Sequence, residues 1–430
     1  MQTSLQGIAK KANGQPKHRF RNLYGMLNEV NLKECWSDIH KDAANGVDRV
    51  SARDYEQHLE ENIHDLVDRL KRKAYRAKLV RRQYIPKGNG KLRPLGIPAT
   101  EDKLVQLAAA KLLNAVYEQD FRPCSYGYRP NKGAKEAVIE LSARLQFGNY
   151  RYVVEADIKG YFDNIDHEWL MKMLKSRVDD RAFLRLIKKW LNAGVLDTDG
   201  KVLHPVTGTP QGGIVSPILA NVYLHYVLDL WFEKVVRPHC GGKAYLIRYA
   251  DDFVCAFERE ADANWFHTAL GERLQKFGLA LSETRVIAFD KQKNAGATSF
   301  DFLGFEFRWG KDRKGKPHLK RRTSRKKLCN SKARFTEWCR EHRHDTLPEL
   351  LATLSTKLRG YYNYYGLIGN GRSLTDFYNH VQRTLHKWLN RRSQRYSYTW
   401  PEFLALLARY AVPKPRVVQR PRTQLSLRFT

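Results

Sequence analysis

Two adjacent aspartates, Asp251 and Asp252, lie between two short β-rich segments, YLIR before them and FVCAF after them. This pattern predicts a hairpin with the carboxylates at its tip. Hairpin tips usually carry Asn-Gly or Asp-Gly because their loops need positive φ angles, and neighbouring carboxylates repel each other. The segment Tyr249-Ala250-Asp251-Asp252 therefore predicts a divalent metal ion at the turn, with an ordinary solvated turn as the alternative.

A third carboxylate has a similar setting. Asp157 ends another β-rich segment, VVEAD, so a neighbouring strand could bring it to the same place. Three carboxylates suit Mg²⁺, which prefers oxygen ligands. Two such ions about 3.5–4 Å apart can bind the attacking and the leaving oxygen of a phosphoryl transfer, so no side-chain nucleophile is required.

The first third of the chain predicts a mixed but mostly helical region. Residues 1–20 are polar and predict poor order, and the segment from Phe20 to Lys73 predicts helices interrupted at Ala44-Asn45-Gly46. The second of these helices is marked by apolar residues at spacings of three and four, namely Leu59, Ile63, Leu66 and Leu70. A strand and turn follow, and then a helix from Lys103 to Tyr117.

The middle third alternates short β-rich segments (RYVVEADI, AYLIRYA, FVCAF and FDFLGFEFRW) with helical stretches, which predicts an α+β domain. Ser216 and Pro217 mark the start of one helix, with Ser216 expected as its cap. The last third predicts a helical hairpin across Gly366 to Gly371. Its two apolar stripes are Leu351, Leu354, Leu358, Tyr361 and Tyr365, and Phe377, Val381, Leu385 and Leu389.

The charge of the chain indicates a polyanionic partner. Lys and Arg number 76 against 45 Asp and Glu, a formal net charge of +31, while 42% of residues are hydrophobic. That apolar content excludes a disordered chain, and nucleic acid is the commonest partner of so basic a folded protein. Mere solubility charge is the alternative. The densest basic regions are residues 311–343 and 383–430.

Cysteine usage and hydropathy indicate in which cellular compartment the protein is expected. The six cysteines form no CxxC pair, so neither a disulfide framework nor a zinc knuckle is predicted. No apolar run has the length of a membrane span, and the first residues lack the apolar core of a signal peptide. We therefore expect a cytoplasmic protein with reduced thiols and no membrane partner.

Several blocks occur in one order along the chain: IPKGNGKLRPLGIP, SYGYRPNKGAKEAV, ADIKGYFDNIDH, TPQGGIVSPILANVYL, YADD, FLGFEF and LRGYYNYYG. Together they resemble the group II intron reverse transcriptase/maturase family over roughly residues 20–400. The resemblance implies an α+β right-hand polymerase with fingers, a palm made of an antiparallel sheet plus helices, and a helical thumb. The expected division is 1–150 for an N-terminal extension and fingers, 151–310 for the palm, 311–390 for the thumb or maturase region, and 391–430 for a basic tail that could bind DNA.

The resemblance also implies roles for individual residues. Asp157, Asp251 and Asp252 match the catalytic carboxylates, which with the backbone at Ile158 would bind two Mg²⁺ ions, with Mn²⁺ as a substitute. The nucleotide-binding positions are Lys87, Arg93, Ile158, Phe162 and Gln211. Among them Phe162 matches the aromatic residue that excludes a 2′-hydroxyl, with a core phenylalanine as the alternative. Phe302, Leu303 and Gly304 match the primer grip, although by pattern alone they equally suit a buried strand.

The basic runs beside the expected thumb are candidates for nucleic-acid binding. They comprise Lys320, Arg321, Arg322, Arg325, Lys326, Lys327, Arg391 and Arg392. Core packing is the expected role of most of the tyrosines of LRGYYNYYG, with Tyr361 and Tyr365 pointing inward. One departure from the family is Glu283-Thr284-Arg285, where relatives commonly have Glu-Lys-Thr. The charge could be retained by Arg285, but no role is assigned to this position.

The predicted function is RNA-directed DNA polymerase activity by two-metal nucleotidyl transfer, together with assistance to group II intron splicing and retrohoming. The implied partners are an RNA template, a DNA primer, dNTPs and intron RNA. The oligomeric state is not predicted, and a dimer is one alternative. No Cys/His cluster follows Trp400, so the HNH endonuclease of some relatives is not expected. The alternatives are a non-enzymatic splicing cofactor that binds intron RNA, and a domesticated or defence-associated reverse transcriptase without an intron partner.

Overall fold

The computed structural model describes residues 4–86, 92–204, 206–209, 212–291, 298–392 and 397–419. The chain divides into two compact units. Unit 1 comprises residues 1–137 and 152–286, and unit 2 comprises residues 138–151 and 287–430. The boundaries of these two units differ from the expected boundaries of fingers, palm and thumb. The division into fingers, palm and thumb stays a prediction.

The structure is a mixture of helices and strands, as predicted. The α-helices are α1 (Leu5–Gly14), α2 (Glu29–Trp36), α3 (Ala52–Gln57), α4 (Leu59–Lys71), α5 (Thr100–Tyr117), α6 (Ala134–Phe147), α7 (His167–Lys175), α8 (Arg181–Leu191), α9 (Ser216–Leu224), α10 (Arg237–His239), α11 (Glu260–Lys276), α12 (Arg325–Glu341), α13 (Leu347–Tyr365), α14 (Gly371–Leu389) and α15 (Trp400–Arg409). Short 3₁₀ turns span Tyr24–Met26 and Tyr161–Asp163, and π-helical turns span His225–Asp229 and Phe232–Val236.

The strands form three sheets. They are β1 (Val80–Pro86), β2 (Leu92–Ile97), β3 (Tyr152–Ile158), β4 (Val195–Leu196), β5 (Val202–Leu203), β6 (Ala244–Tyr249), β7 (Asp252–Phe257), β8 (Leu281–Ala288), β9 (Ser299–Phe302), β10 (Phe305–Lys311) and β11 (Pro317–Thr323). The sheet orders are β2-β1-β4-β5, β6-β7-β3-β8 and β11-β10-β9.

The four-stranded sheet β6-β7-β3-β8 lies in the core of unit 1. Strand β7 pairs antiparallel with both β6 and β3. From Phe253 to Phe257 every side chain of β7 is buried, because it lies between two strands and is covered on both faces. This explains why FVCAF shows no alternation of polar and apolar residues. The predicted hairpin around Tyr249-Ala250-Asp251-Asp252 is confirmed.

The prediction that residues 1–20 are poorly ordered is wrong for the segment that forms α1. Ser4 caps α1, and Ile8 and Ala12 are buried against α5. The guanidinium of Arg177 then donates to the backbone carbonyls that follow, including Gln15 at 3.0 Å and His18 at 3.1 Å. The few apolar residues suffice because a distant arginine satisfies the carbonyls beyond the helix end.

The helical part of unit 2 follows the predicted stripes. Leu351, Leu354 and Leu358 on α13, and Val381 and Leu385 on α14, are each 1% exposed. The tyrosines differ in detail from the prediction: Tyr362 is fully buried, whereas Tyr361 and Tyr365 are partly buried at the edge of the same core. Most of the group thus packs in the core, as expected.

The start of α9 also differs from the prediction. The helix begins at Ser216, so Val215 rather than Ser216 occupies the N-cap position, while Pro217 lies in the first turn as predicted. No helix in the described ranges is long and apolar enough to cross a membrane.

Candidate functional site

The tip of the β6–β7 hairpin is a tight turn. Tyr249 pairs with Asp252 across the two strands, which leaves Ala250 and Asp251 as the loop. Ala250 has φ +55°, a left-handed conformation that costs energy for a residue with a Cβ. Surrounding contacts must therefore hold the turn in place.

Those contacts centre on Arg248, which is 0% exposed. Its Nε and Nη2 donate to the two carboxylate oxygens of Asp229 at 2.8 and 2.6 Å, and its Nη1 donates to the carbonyl of Ala250 at 2.9 Å. Further bonds reach Asn221 at 3.1 Å and Ser125 at 2.7 Å. Burial alone would lower the pKa of Arg248, but the carboxylate of Asp229 raises it, so the pair stays charged.

A second backbone segment, residues 124–128, supports the turn from the other side. The amide of Tyr126 donates to the carbonyl of Arg248 at 2.8 Å, and Asn221 donates to the carbonyl of Gly127 at 2.7 Å. A Cβ at Gly127 would overlap the backbone nitrogen of Ala250. This explains the glycine in SYGYRP, because only a residue without a side chain lets the two backbones approach so closely.

The third carboxylate lies beside the turn. Asp157 on β3 is directly opposite Asp252 on β7, as the sequence predicts, and Ser282 donates to its carboxylate at 3.0 Å. The pKa of Asp251 is raised, chiefly by burial and further by the negative charge of Asp157. The positive charge of Arg93 acts in the opposite direction. Cations near this carboxylate therefore favour its ionised form.

The donor set fits a hard divalent cation, since it consists of carboxylate oxygens at adjoining strand ends. Within the described ranges, however, no three His, Cys, Asp or Glu side chains are gathered closely enough to bind a single metal ion. The strand register brings Asp157 and Asp252 together, and the electrostatic coupling joins Asp157 to Asp251.

Phe162 lies on the short turn after β3 and is half-buried. Its neighbour Tyr161 is buried and donates to the carbonyl of Ala220 at 2.6 Å, which fixes the turn. The ring of Tyr128 meets Phe162 edge to face, with ring centroids 6.4 Å apart. Tyr128 is 51% exposed, and Asp251 contributes to the upward shift of its pKa after burial.

Tyr128 is thus a member of the site that the sequence prediction missed. Its motif, SYGYRP, was recognised, but nothing in the motif indicates which side chain faces the carboxylates. Its placement follows from the close approach of Gly127 to the backbone of Ala250, which only the folded structure shows.

The other nucleotide-binding candidates divide into two groups. Lys87 and Gln211 lie outside the described residues. Arg93 lies on β2 opposite Ile85 of β1, and its charge acts on Asp251 and Tyr128. Ile158 is buried at the end of β3. Arg93, Phe162 and the three aspartates therefore all belong to unit 1.

Comparison with known proteins decides the family. Residues 85–307, more than half of the chain, match the family described as reverse transcriptase (RNA-dependent DNA polymerase). This chain belongs to the reverse transcriptase family. Enzymes of this family generally use divalent metal ions, in agreement with the oxygen donors at the turn.

A second match covers residues 329–402, which correspond to the maturase-specific domain of group II introns. The predicted resemblance to the intron reverse transcriptase/maturase family is therefore confirmed. The match lies within unit 2 and includes α13 and α14.

Curated proteins similar to this chain include the following two. The group II intron-encoded protein LtrA of Lactococcus lactis subsp. cremoris is 30% identical over 403 residues, covering 74% of this chain and 65% of the relative. Protein YkfC of Escherichia coli (strain K12) is 37% identical over 238 residues, covering 49% of this chain and 62% of the relative. The chain thus spans just under two thirds of the length of these relatives.

The predicted primer-grip residues lie in unit 2, where Phe302 ends β9 and Leu303 and Gly304 form the turn to β10. Leu303 and Gly304 both have positive φ angles, +49° and +78°. Tyr364 of α13 donates to the carbonyl of Leu303 at 3.0 Å, and Phe302 is 1% exposed. The turn is therefore tied to α13, and the side chain of Phe302 belongs to the interior.

The predicted nucleic-acid contacts have different surroundings. Lys320, Arg325, Lys326, Lys327 and Arg391 are exposed. Arg322 is ion-paired with Glu306 at 2.9 Å, and Arg392 donates to the carbonyl of Asp345 at 3.1 Å. Arg321 is partly buried, with Nε, Nη1 and Nη2 donating to Ile368, Ser142 and Gln419.

Arg285, at the departure from the family pattern, pairs with a neighbouring strand. Its Nε and Nη2 donate to one carboxylate oxygen of Glu155 at 2.9 and 2.8 Å. The positive charge at this position is therefore engaged within the sheet, at the edge strand β8.

Proposed function

We propose that this chain is an RNA-directed DNA polymerase that also assists the splicing and mobility of a group II intron. The observation that carries the polymerase proposal is the strand register that places Asp157 opposite Asp252, with Asp251 beside Asp252 at the hairpin tip and subject to the charges of Asp157 and Arg93. The proposed substrates are dNTPs on a DNA primer and an RNA template.

The proposed chemistry assigns a task to each residue. Asp157, Asp251, Asp252 and the backbone carbonyl of Ile158 would hold two Mg²⁺ ions, for which Mn²⁺ is a substitute. When bound, these ions lower the barrier by stabilising negative charge on the attacking and leaving oxygens. Arg93, together with Lys87, would bind the triphosphate, because a guanidinium can hold two phosphate oxygens at once.

Sugar selection is assigned to Phe162, with Gln211 lining the same nucleotide pocket. A ribose 2′-hydroxyl against the ring would clash and lack a hydrogen-bond partner, so deoxynucleotides are preferred. The turn of Phe302, Leu303 and Gly304 would position the primer 3′ end. In this scheme residues 1–150 supply the N-terminal extension and fingers, 151–310 the palm, 311–390 the thumb and 391–430 a basic tail.

Primer extension on an RNA template with Mg²⁺ and dNTPs tests the polymerase proposal. The wild-type chain should extend the primer, and Asp251→Asn should abolish extension because the amide carries no charge for the metal. Asp65→Asn, which alters an exposed carboxylate on α4, serves as the matched control and should extend normally. Extension that survives Asp251→Asn, or no extension by the wild type, would contradict the proposal.

The maturase role is supported by the match of residues 329–402 to the intron-specific domain. The exposed cations Lys320, Arg325, Lys326, Lys327 and Arg391 would contribute phosphate contacts to intron RNA. A splicing assay with a group II intron from the DNA that flanks the coding sequence tests this role. Splicing should persist in Asp251→Asn, and failure of the wild type to promote splicing would remove the maturase proposal while leaving the polymerase intact.

A further inference from the structure

Unit 2 contains a large basic groove that we name after its edge strand, the β11 groove. Its volume is about 1350 Å³, and α6, β11 and α14 contribute most of its lining. Pockets for drug-sized molecules measure about 300–1,000 Å³, so this groove has room for more than one nucleotide.

Several cations of the groove have no matching acid, although Arg322 in the same lining is paired with Glu306. Arg308 on β10 lies directly opposite Lys320 on β11, a like-charged pair that destabilises a sheet unless an anion lies near it. In the described part of the chain, Arg308, Lys320, Arg325 and Arg372 have no acidic partner within ion-pair distance. The acidic residue among the lining side chains, Asp376, is itself paired with Lys332 at 2.9 Å.

The groove is held open by the protein itself. Arg321 is partly buried, and burial lowers its pKa to about 10. Its guanidinium joins Ser142 of α6, the carbonyl of Ile368 and Gln419, at distances of 2.7, 3.1 and 2.7 Å. These bonds connect three separate segments around the groove, so it exists before any ligand arrives.

Lys320 is also placed in advance. Its aliphatic chain lies over Gly310, where a Cβ would come within 2.8 Å of the lysine Cε. Glycine at this position of β10 therefore leaves space for the lysine to lie across the sheet. The ammonium of Lys320 therefore lies on the groove side of the sheet's edge strand, among the lining residues.

An exposed aromatic ring adds a second kind of contact. Phe147 lies at the end of α6, lines the groove and is 69% exposed, and Ile368 in the same lining is 46% exposed. An aromatic face beside phosphate-binding cations is the arrangement by which proteins bind single strands, since an unpaired base can stack on the ring. Duplex bases are already stacked on each other and offer no face to such a ring.

We propose that the β11 groove binds a single-stranded segment of RNA. Arg308, Lys320 and Arg372 contact its phosphates, and Phe147 stacks on one base. The choice of RNA rests on the proposed function, because Arg372 and α14 belong to the intron-specific match.

The test is fluorescence anisotropy of a short labelled oligouridine with the full-length chain over a series of salt concentrations. The double variant Lys320→Gln/Arg372→Gln removes two exposed cations of the groove. Loss of two phosphate contacts should weaken binding and reduce the slope of log affinity against log salt by about 1.4, at about 0.7 per phosphate. The matched control is Lys234→Gln/Arg237→Gln, two exposed cations of unit 1.

Phe147 provides an independent arm. Phe147→Ala should weaken oligouridine binding by about five-fold or more, the lower end of the measured cost of losing one stacked base. Phe147→Tyr keeps the aromatic face and should bind as the wild type does. Because the ring is mostly exposed, neither change should alter the fold, which circular dichroism checks.

Three results would overturn the inference. They are equal weakening by the groove and control double variants, unchanged binding in both groove variants, and a groove variant that impairs oligothymidine binding but leaves oligouridine binding intact. Primer extension on the same preparations separates this inference from the polymerase proposal. If the chain extends primers but the groove variants do not change its RNA binding, only this inference is contradicted. If the chain does not extend primers but the groove variants weaken its RNA binding, only the polymerase proposal is contradicted.

Discussion

The buried ion pair behind the aspartate turn offers the sharpest test of how the site is held. Arg248 and Asp229 both have fully buried side chains, and two hydrogen bonds of 2.8 and 2.6 Å join them. Asp229→Asn removes the counter-charge but leaves the guanidinium in place. Breaking a buried pair in this way costs about 3–5 kcal/mol, because the remaining charge has no equivalent partner.

The same change should also affect catalysis. Arg248 donates to the carbonyl of Ala250, so movement of the guanidinium displaces the turn that carries Asp251 and Asp252. A misplacement of about 1 Å in a catalytic group can reduce the rate on the order of 100-fold. We expect slower primer extension per folded molecule and a higher Mg²⁺ concentration for half-maximal activity.

The assay combines urea unfolding with primer extension at a temperature where the variant is folded. Asp120→Asn is the matched control, because Asp120 pairs at 2.9 Å with Arg177, which is also buried but bonds to the N-terminal segment instead of the turn. It should lower the free energy of unfolding while leaving activity per folded molecule unchanged. Equal activity in Asp229→Asn and wild type would refute the positioning role, and a loss of stability below about 1 kcal/mol would refute the estimate from burial.

Three further predictions concern the sugar gate, a buried histidine and the core of unit 2. Phe162→Ala should relax discrimination against ribonucleotides in primer extension, and Tyr128→Ala should do so more weakly because its ring supports Phe162; unchanged discrimination would contradict the gate. Burial lowers the pKa of His225 from 6.5 to about 4. Between these pH values only the unfolded chain binds the proton, so the free energy of unfolding should fall as the pH drops through this range. His225→Gln should remove that part of the pH dependence. Leu354→Ala, at a side chain 1% exposed, should lower the free energy of unfolding by about 2–5 kcal/mol in urea titrations.

Much of the fold followed from local patterns. The spacing of Leu351, Leu354 and Leu358 predicted a buried helix face, and the β-rich segments around the two aspartates predicted the hairpin that the structure contains. These signals work because side-chain periodicity and turn chemistry act over a few residues. The helix from Leu5 to Gly14 was missed, since its stability depends on packing against α5 and on the distant Arg177.

The candidate site, like the fold, was predictable from the sequence only in part. The motifs indicated Asp157, Asp251 and Asp252, and the register of β3 and β7 agrees with the expected meeting of two of them. No local pattern indicated that Tyr128 faces Phe162 or that the guanidinium of Arg321 donates to protein acceptors. In a run of mostly exposed cations, the one-letter sequence does not show that one arginine is partly buried and bonded to the protein itself.

The sequence by itself determined which groups support the chemistry proposed for this reverse transcriptase, because the three aspartates, Arg93 and Phe162 occur in short ordered motifs. The tertiary structure decided how those groups are held. Asp229 and Arg248 are 19 residues apart, and Ser125 is 123 residues from Arg248. Their pairing depends on burial, which strengthens a charge pair and makes an unpaired charge costly, and burial exists only once distant segments have packed.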